Sequence, residues 1–127
     1  MEQSLNLLGG GDPVSALTLA GAAEEILGKI VARKGKIPRV EYLAEYTASL
    51  YEWAGKPTPP RKVLIGLENR ARNELKHQND GRNVKVGIDF HYEAESMLLR
   101  SMFNHFNAFG CYPSSRRLRN WFENLTL

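Results

Sequence analysis

Cysteine occurs once in the 127 residues, at Cys111. A single thiol excludes an intramolecular disulfide and cannot alone build a cysteine-based zinc site; this usage fits a reducing, cytoplasmic setting, with Cys111 a buried or incidental thiol. No apolar run reaches the length of a signal sequence or a membrane span. The opening MEQSLNLLGGGD carries an acid in place of a basic run, so neither secretion nor membrane insertion is expected. Also missing are a Gly-rich phosphate loop, an HExxH zinc motif, a nucleophile elbow and any internal repeat. The three histidines, His77, His91 and His105, lack metal-ligand spacing, so neither a metal nor a cofactor is expected. No alternation is long enough to force a sheet.

The helical periods that remain predict an all-α chain forming one domain over residues 1–127. Residues 2–8 are too few for a stable independent helix, and Gly9, Gly10 and Gly11 separate them from the rest of the chain. Asp12 caps and Pro13 opens a helix to about Lys34, with a stripe of Leu17, Ala20, Ala23, Leu27, Ile30 and Val31. Glu24 stands at the edge of that stripe, within reach of an internal polar site or of a neighbouring base, and Glu25 on the wet side. Pro38 begins a second helix ending near Gly55, with Val40, Leu43, Thr47 and Leu50 inward. Its Tyr42, Tyr46 and Trp53 are read as core or subunit contact.

The stretch TPPRKVLIGLENRARNELKHQN, from Thr58 to Asn79, reads as one long helix capped by Thr58 with Pro59 at its first position. Val63, Leu64, Leu67, Ala71 and Leu75 share one side; Asn69, Asn73 and His77 follow one another on a polar side. Arg72 and His77 are about 140 degrees apart around the helix and about 7.5 Å along it. A bent Arg side chain or a second copy of the helix is therefore needed to bring them to one ligand. After a turn at 80–83 and a short extended loop at 84–87, Asp89 caps a fourth helix running to Phe109. Its apolar residues cover most of its circumference, which favours oligomerisation or a central position. Arg100 is placed on its polar side and His105, read as structural, on its apolar side. Ser114 or Ser115 starts a terminal amphipathic helix with Leu118, Trp121, Phe122 and Leu125.

The formal charge of +3 is modest, with basic clusters at Arg33 to Arg39, Arg61 and Lys62, and Arg116 to Arg119. Such clusters can meet phosphates or serve helix ends. The segment Arg72-Asn73-Glu74-Leu75-Lys76-His77 is similar to the RNxxxH form of the motif of HEPN-type proteins, and the order of helices resembles theirs across almost the whole chain. The resemblance implies a four-helix up-and-down bundle with a short additional C-terminal helix. It further implies a homodimer and a metal-independent endoribonuclease of toxin or defence type, acting on RNA. Its sites would be Arg72, Asn73 and His77, with Glu24 as orienter, and its partner an antitoxin or a nucleotidyltransferase. His77 would move the proton of the ribose 2′-OH or leaving oxygen, and Arg72 would neutralise the phosphoryl oxygens. Two other readings stay open: a nucleotide- or protein-binding domain without turnover, and a structural dimer module with the polar stripe as its seam.

Overall fold

The computed structural model describes residues 1–78 and 88–125, and for residues 76–78 the backbone alone. In chain order the helices are α1 (Glu2–Gly9), α2 (Pro13–Arg33), α3 (Arg39–Trp53), α4 (Arg61–Glu68), α5 (Arg70–Gln78), α6 (Phe90–Phe109) and α7 (Arg116–Glu123). Among the described residues there is no strand. The expected turn at 80–83 and extended loop at 84–87 lie outside the described residues.

α2 and α6, distant in sequence, share the most extensive contact and form the spine. Both begin as their caps dictate: Asp12 Oδ1 accepts from the Ser15 N–H at 3.1 Å, and Asp89 Oδ1 from the Tyr92 N–H at 3.1 Å. Ala16, Ala20 and Gly21 are buried on α2 and let the partner helix lie close. The Ser101 hydroxyl of α6 consequently reaches the Ala20 carbonyl at 3.2 Å, as well as the Met97 carbonyl of its own helix at 2.9 Å. Leu17 and Leu98 are fully enclosed between the two helices. Burial on that scale is worth about 1.5–3 kcal/mol for each. α6 ends at Gly110, whose φ of 75° a side chain would strain. Lys34 and Lys36 donate to the carbonyls of Ala108 and Asn107 there, where the helix dipole favours cations. Part of the basic run from Arg33 to Arg39 thus serves a helix end.

Four expectations need correction. α1 exists although it is too short to persist alone: the Ser4 hydroxyl donates to the Ala16 carbonyl at 2.6 Å, and Leu8 is buried in the core. Tertiary contact supplies what its length cannot. The inward face of α3 is also different. Ala44 is its only fully buried residue, Val40, Leu43 and Thr47 are half-buried, and Leu50 is exposed. Tyr42, Tyr46 and Trp53 lie on the outside, so they are not core of this chain.

The stretch from Thr58 to Asn79 is not one helix. It starts at Arg61, because Thr58 and Pro59 each precede a proline and are kept out of the helical region. It then breaks at Asn69. There Arg100 of α6 donates through Nη1 to the Glu68 carbonyl at 3.0 Å and through Nη2 to Asn69 Oδ1 at 2.8 Å. A guanidinium from another helix has taken acceptors at the point where the turn would continue. The fourth correction is Arg100 itself, which is buried and not on a polar, solvated side. α7 is capped by Ser115, whose Oγ accepts from the Leu118 N–H at 3.2 Å, and Leu118 is buried beneath it.

Candidate functional site

Glu24 lies within the buried face of α2, between Gly21 and Leu27, and not at its edge. At 4% exposure a lone carboxylate would be untenable, and it is not alone. Oε1 accepts from Arg100 Nη2 at 2.8 Å, and Oε2 from Arg72 Nη1 at 3.4 Å. Arg72 Nη1 also stands 3.4 Å from the Gly21 carbonyl. These contacts join α2, α5 and α6 at one point. Around Glu24 one carboxylate meets two guanidiniums, and Arg100 is also within electrostatic reach of Glu93.

The two arginines are held differently. Arg100 is fixed by acceptors on two other parts of the fold, since Glu24 of α2, the Glu68 carbonyl and Asn69 all accept from it. Among the described residues Arg72 makes two long contacts, and 16% of its side chain remains exposed. The Nε atoms of both are buried and have no partner among the described residues. An arginine held on one side by a carboxylate and open on another is placed to receive an anion through its remaining donors.

Gly21 makes this arrangement possible. A Cβ there would fall 2.7 Å from Arg72 Cδ, so only glycine lets the arginine stem cross α2 at this height. Further along the same face, Asn104 Nδ2 of α6 stands 3.4 Å from the Glu24 carbonyl, and its Oδ1 accepts the Arg39 N–H at 2.8 Å. α2 and α3 are thereby tied to α6 beside the cluster.

Of the four residues expected at the site, the structure brings Glu24 and Arg72 together. Asn73 is half-buried on α5, its N–H bonded to the Asn69 carbonyl at 2.9 Å across the helix break. The backbone of His77 belongs to α5, but its side chain lies outside the described residues. His105 is tied to the end of its own helix: Nδ1 is 2.7 Å from the Cys111 carbonyl, and its ring stands edge-on to Phe109. Cys111 itself is exposed. Among the described residues no three His, Cys, Asp or Glu side chains converge so as to hold a metal ion.

Arg100 and Asn69 are central to the cluster, and neither is singled out for it by sequence. The signal for Arg100 was present, since it shares the buried side of α6 with Met97, Ser101, Asn104 and Ala108. In a helix apolar on most sides, that face was one of several that could turn inward. In comparisons with known proteins, the chain matches no protein-family model, no curated protein and no solved structure.

Proposed function

We propose that the chain is a metal-independent endoribonuclease of the HEPN type, with α2, α3, the bent pair α4 and α5, and α6 as the four-helix bundle and α7 as its C-terminal addition. The observation that carries this reading is the Glu24 to Arg72 contact at the head of Arg72-Asn73-Glu74-Leu75-Lys76-His77. The carboxylate orients the arginine, whose planar fork of donors suits a phosphate better than a neutral ligand. In the proposed reaction His77 takes the proton from a ribose 2′-OH, the oxygen attacks phosphorus, and the P–O5′ bond breaks as the leaving oxygen takes a proton from the imidazolium of His77 or of its twin in the second copy. Only RNA supplies that nucleophile. Arg72 stabilises the charge on the phosphoryl oxygens, and Asn73 orients the phosphate or the histidine. A homodimer, each copy contributing to a shared groove, completes the proposal, with an antitoxin or nucleotidyltransferase as cognate partner in the cytoplasm.

The test is cleavage of a broad RNA panel in the presence of a chelator. Wild-type protein is expected to leave 2′,3′-cyclic phosphate ends, with His77→Ala and Arg72→Ala each losing at least about 100-fold in rate, the low end for a positioned acid-base group. His105→Ala is expected to keep activity. Equal cleavage by wild type and His77→Ala would overturn the assignment. The competing reading, a purely structural cluster, is favoured by the depth at which Arg72 and Arg100 are buried. It is selected if Arg72→Ala lowers stability while no RNA is cut by any variant.

A further inference from the structure

Acidic residues are spread unevenly along this chain. Residues 26–40 and 96–122 contain no Asp or Glu and nine of the 17 Lys and Arg; the rest of the chain holds all 14 acids against eight bases. The fold brings the two acid-free stretches together. Ser101 meets Ala20 and, further on, Lys34 reaches the Ala108 carbonyl, so α2 and α6 run in the same direction and finish at one end of the bundle. The connection after α2 lies against that end through Lys36, which donates to the Asn107 carbonyl. After α6 the chain turns back, and Tyr112 packs on Phe106 of α6 and Phe122 of α7, with ring centroids 4.9 and 6.0 Å away. α7 is thereby fastened beside the same end.

The fold accounts for only part of this charge. Lys34 and Lys36 answer the carbonyls that close α6, and Arg33 ends α2, where the helix dipole welcomes a cation. Arg116, Arg117 and Arg119 are exposed and form no ion pair among the described residues. Arg116 and Arg117 open α7, where the dipole disfavours them, and no acid stands in that first turn. Glu2, the acid that touches this end, is held by the Ser115 hydroxyl, and Glu123 stands at the far end of α7. Cations gathered in this way repel one another, and an external anion relieves the repulsion.

Apolar side chains stand among them. Ile37, Phe106 and Phe109 are 50%, 43% and 51% exposed. Their form selects the kind of anion. Stacking on nucleic acid bases needs open ring faces. The Lys34 ammonium lies over the Phe109 ring at 5.1 Å, the His105 ring meets it at 4.9 Å, and Tyr112 leans on Phe106. Ile37 has no ring to offer. At 100° per residue the three arginines fan over about 160° of α7. A fluid sheet of mobile anions can meet that spread through the long arginine stems, whereas one rigid acidic groove cannot.

We propose that this end of the bundle, where residues 34–38 and 109–119 meet, docks on an anionic lipid bilayer. The arginines of α7 with Lys34 and Lys36 meet the headgroups, and Ile37 and Phe109 enter the acyl boundary. Attachment is peripheral, since among the described residues no helix is long and apolar enough to cross a membrane. Neither Arg72 nor His77 takes part, so the docking stands whether or not RNA is cleaved.

The test is sedimentation of the full chain with phosphatidylcholine vesicles carrying about 30% phosphatidylserine, and with phosphatidylcholine alone, in about 0.1 M salt. Wild type is expected to bind the first at least about tenfold more tightly than the second, and to be released as salt is raised. One Lys or Arg at the surface is worth about fivefold in partitioning, so the triple variant Arg116→Gln, Arg117→Gln, Arg119→Gln is expected to lose at least about tenfold. Ile37→Ser with Phe109→Ser keeps every charge and is expected to lose at least about fivefold, through the apolar area alone. All the substituted side chains are exposed, and unchanged circular dichroism verifies that both variants fold. His77→Ala, which abolishes the proposed cleavage, is expected to bind vesicles as wild type does, so the two proposals fail separately. No binding to the anionic vesicles, equal binding to the neutral ones, or unchanged binding in either multiple variant would overturn the docking. A wild type that retains poly(U) but no vesicle would assign this end to nucleic acid and overturn it as well.

Discussion

Along α2 nearly every third or fourth residue from Ala16 to Val31 is buried, mostly beneath α6, whereas α3 buries Ala44 alone and presents Tyr42, Tyr46 and Trp53 to solvent. The first helix is lined with small residues and one carboxylate. The second is lined with large aromatic groups. Size of side chain is therefore a poor guide to which helix holds this molecule together. Close backbone approach lets α2 and α6 exchange hydrogen bonds through Ser101 and Asn104 and lets two arginines converge on Glu24. The aromatic ridge of α3 adds area that the single chain does not cover.

The sharpest way to break this contrast is to remove Glu24. Glu24→Ala leaves two largely buried guanidiniums without their anion and is expected to cost about 3–5 kcal/mol in urea denaturation. Trp53→Ala, at a site 87% exposed, is expected to change stability by less than about 0.5 kcal/mol although it deletes far more apolar surface. If the two losses are comparable, the spine is not where stability resides.

A smaller effect separates two glycines on α2. An interior helical Gly→Ala ordinarily gains about 1 kcal/mol. At Gly28 the new methyl would meet Asn104 Nδ2 at 3.5 Å and Pro38 Cβ at 3.7 Å, ordinary contact distances, so Gly28→Ala is expected to be neutral or stabilising. At Gly21 it would meet the Arg72 stem at 2.7 Å. Gly21→Ala is expected to lose about 1 kcal/mol net as Arg72 is pushed aside, in the range for overpacking. Thermal melts of the two variants, run together, check the difference in sign.

The smallest expected effect lies on the α3 and α4 side, at Glu93. Burial raises its folded pKa above the ordinary 4.5, so the folded state binds the more protons and stability falls as pH rises through that interval. Below 4.5 both states are protonated and the cost is absent; above the folded value it is fully present. Glu93→Gln is therefore expected to match wild type in acid and to exceed it at neutral pH, by less than about 0.5 kcal/mol because solvent still reaches the group. Denaturation curves across pH test the sign.

Local chemistry decides the features of this fold that are legible in its sequence. Asp12, Asp89 and Gly110 mark the ends of α2 and α6 by groups within a few residues, and those boundaries can be read directly. The break at Asn69 was not legible, because its cause is an arginine on α6, beyond the reach of any window around Asn69. Helix α1 depends in the same way on Ala16. At the candidate site, the period of α2 brought Glu24 close to the right face. Arg72 was joined to it by the family resemblance, whereas Arg100 could be found only by folding α6 against that face.

The pairing of α2 with α6 bears on how the chain reaches its folded state. All-helical proteins commonly fold fast because their contacts are local. Here the dominant helix pair is joined through everything from Lys34 to Asp89, and the ionic cluster cannot assemble until that interval has closed. Closing it costs chain entropy before Leu17 and Leu98 return any burial. In its kinetics this helical chain therefore shares the handicap of proteins whose strands pair across long loops, and a nucleus confined to neighbouring helices would contain neither its core nor its site.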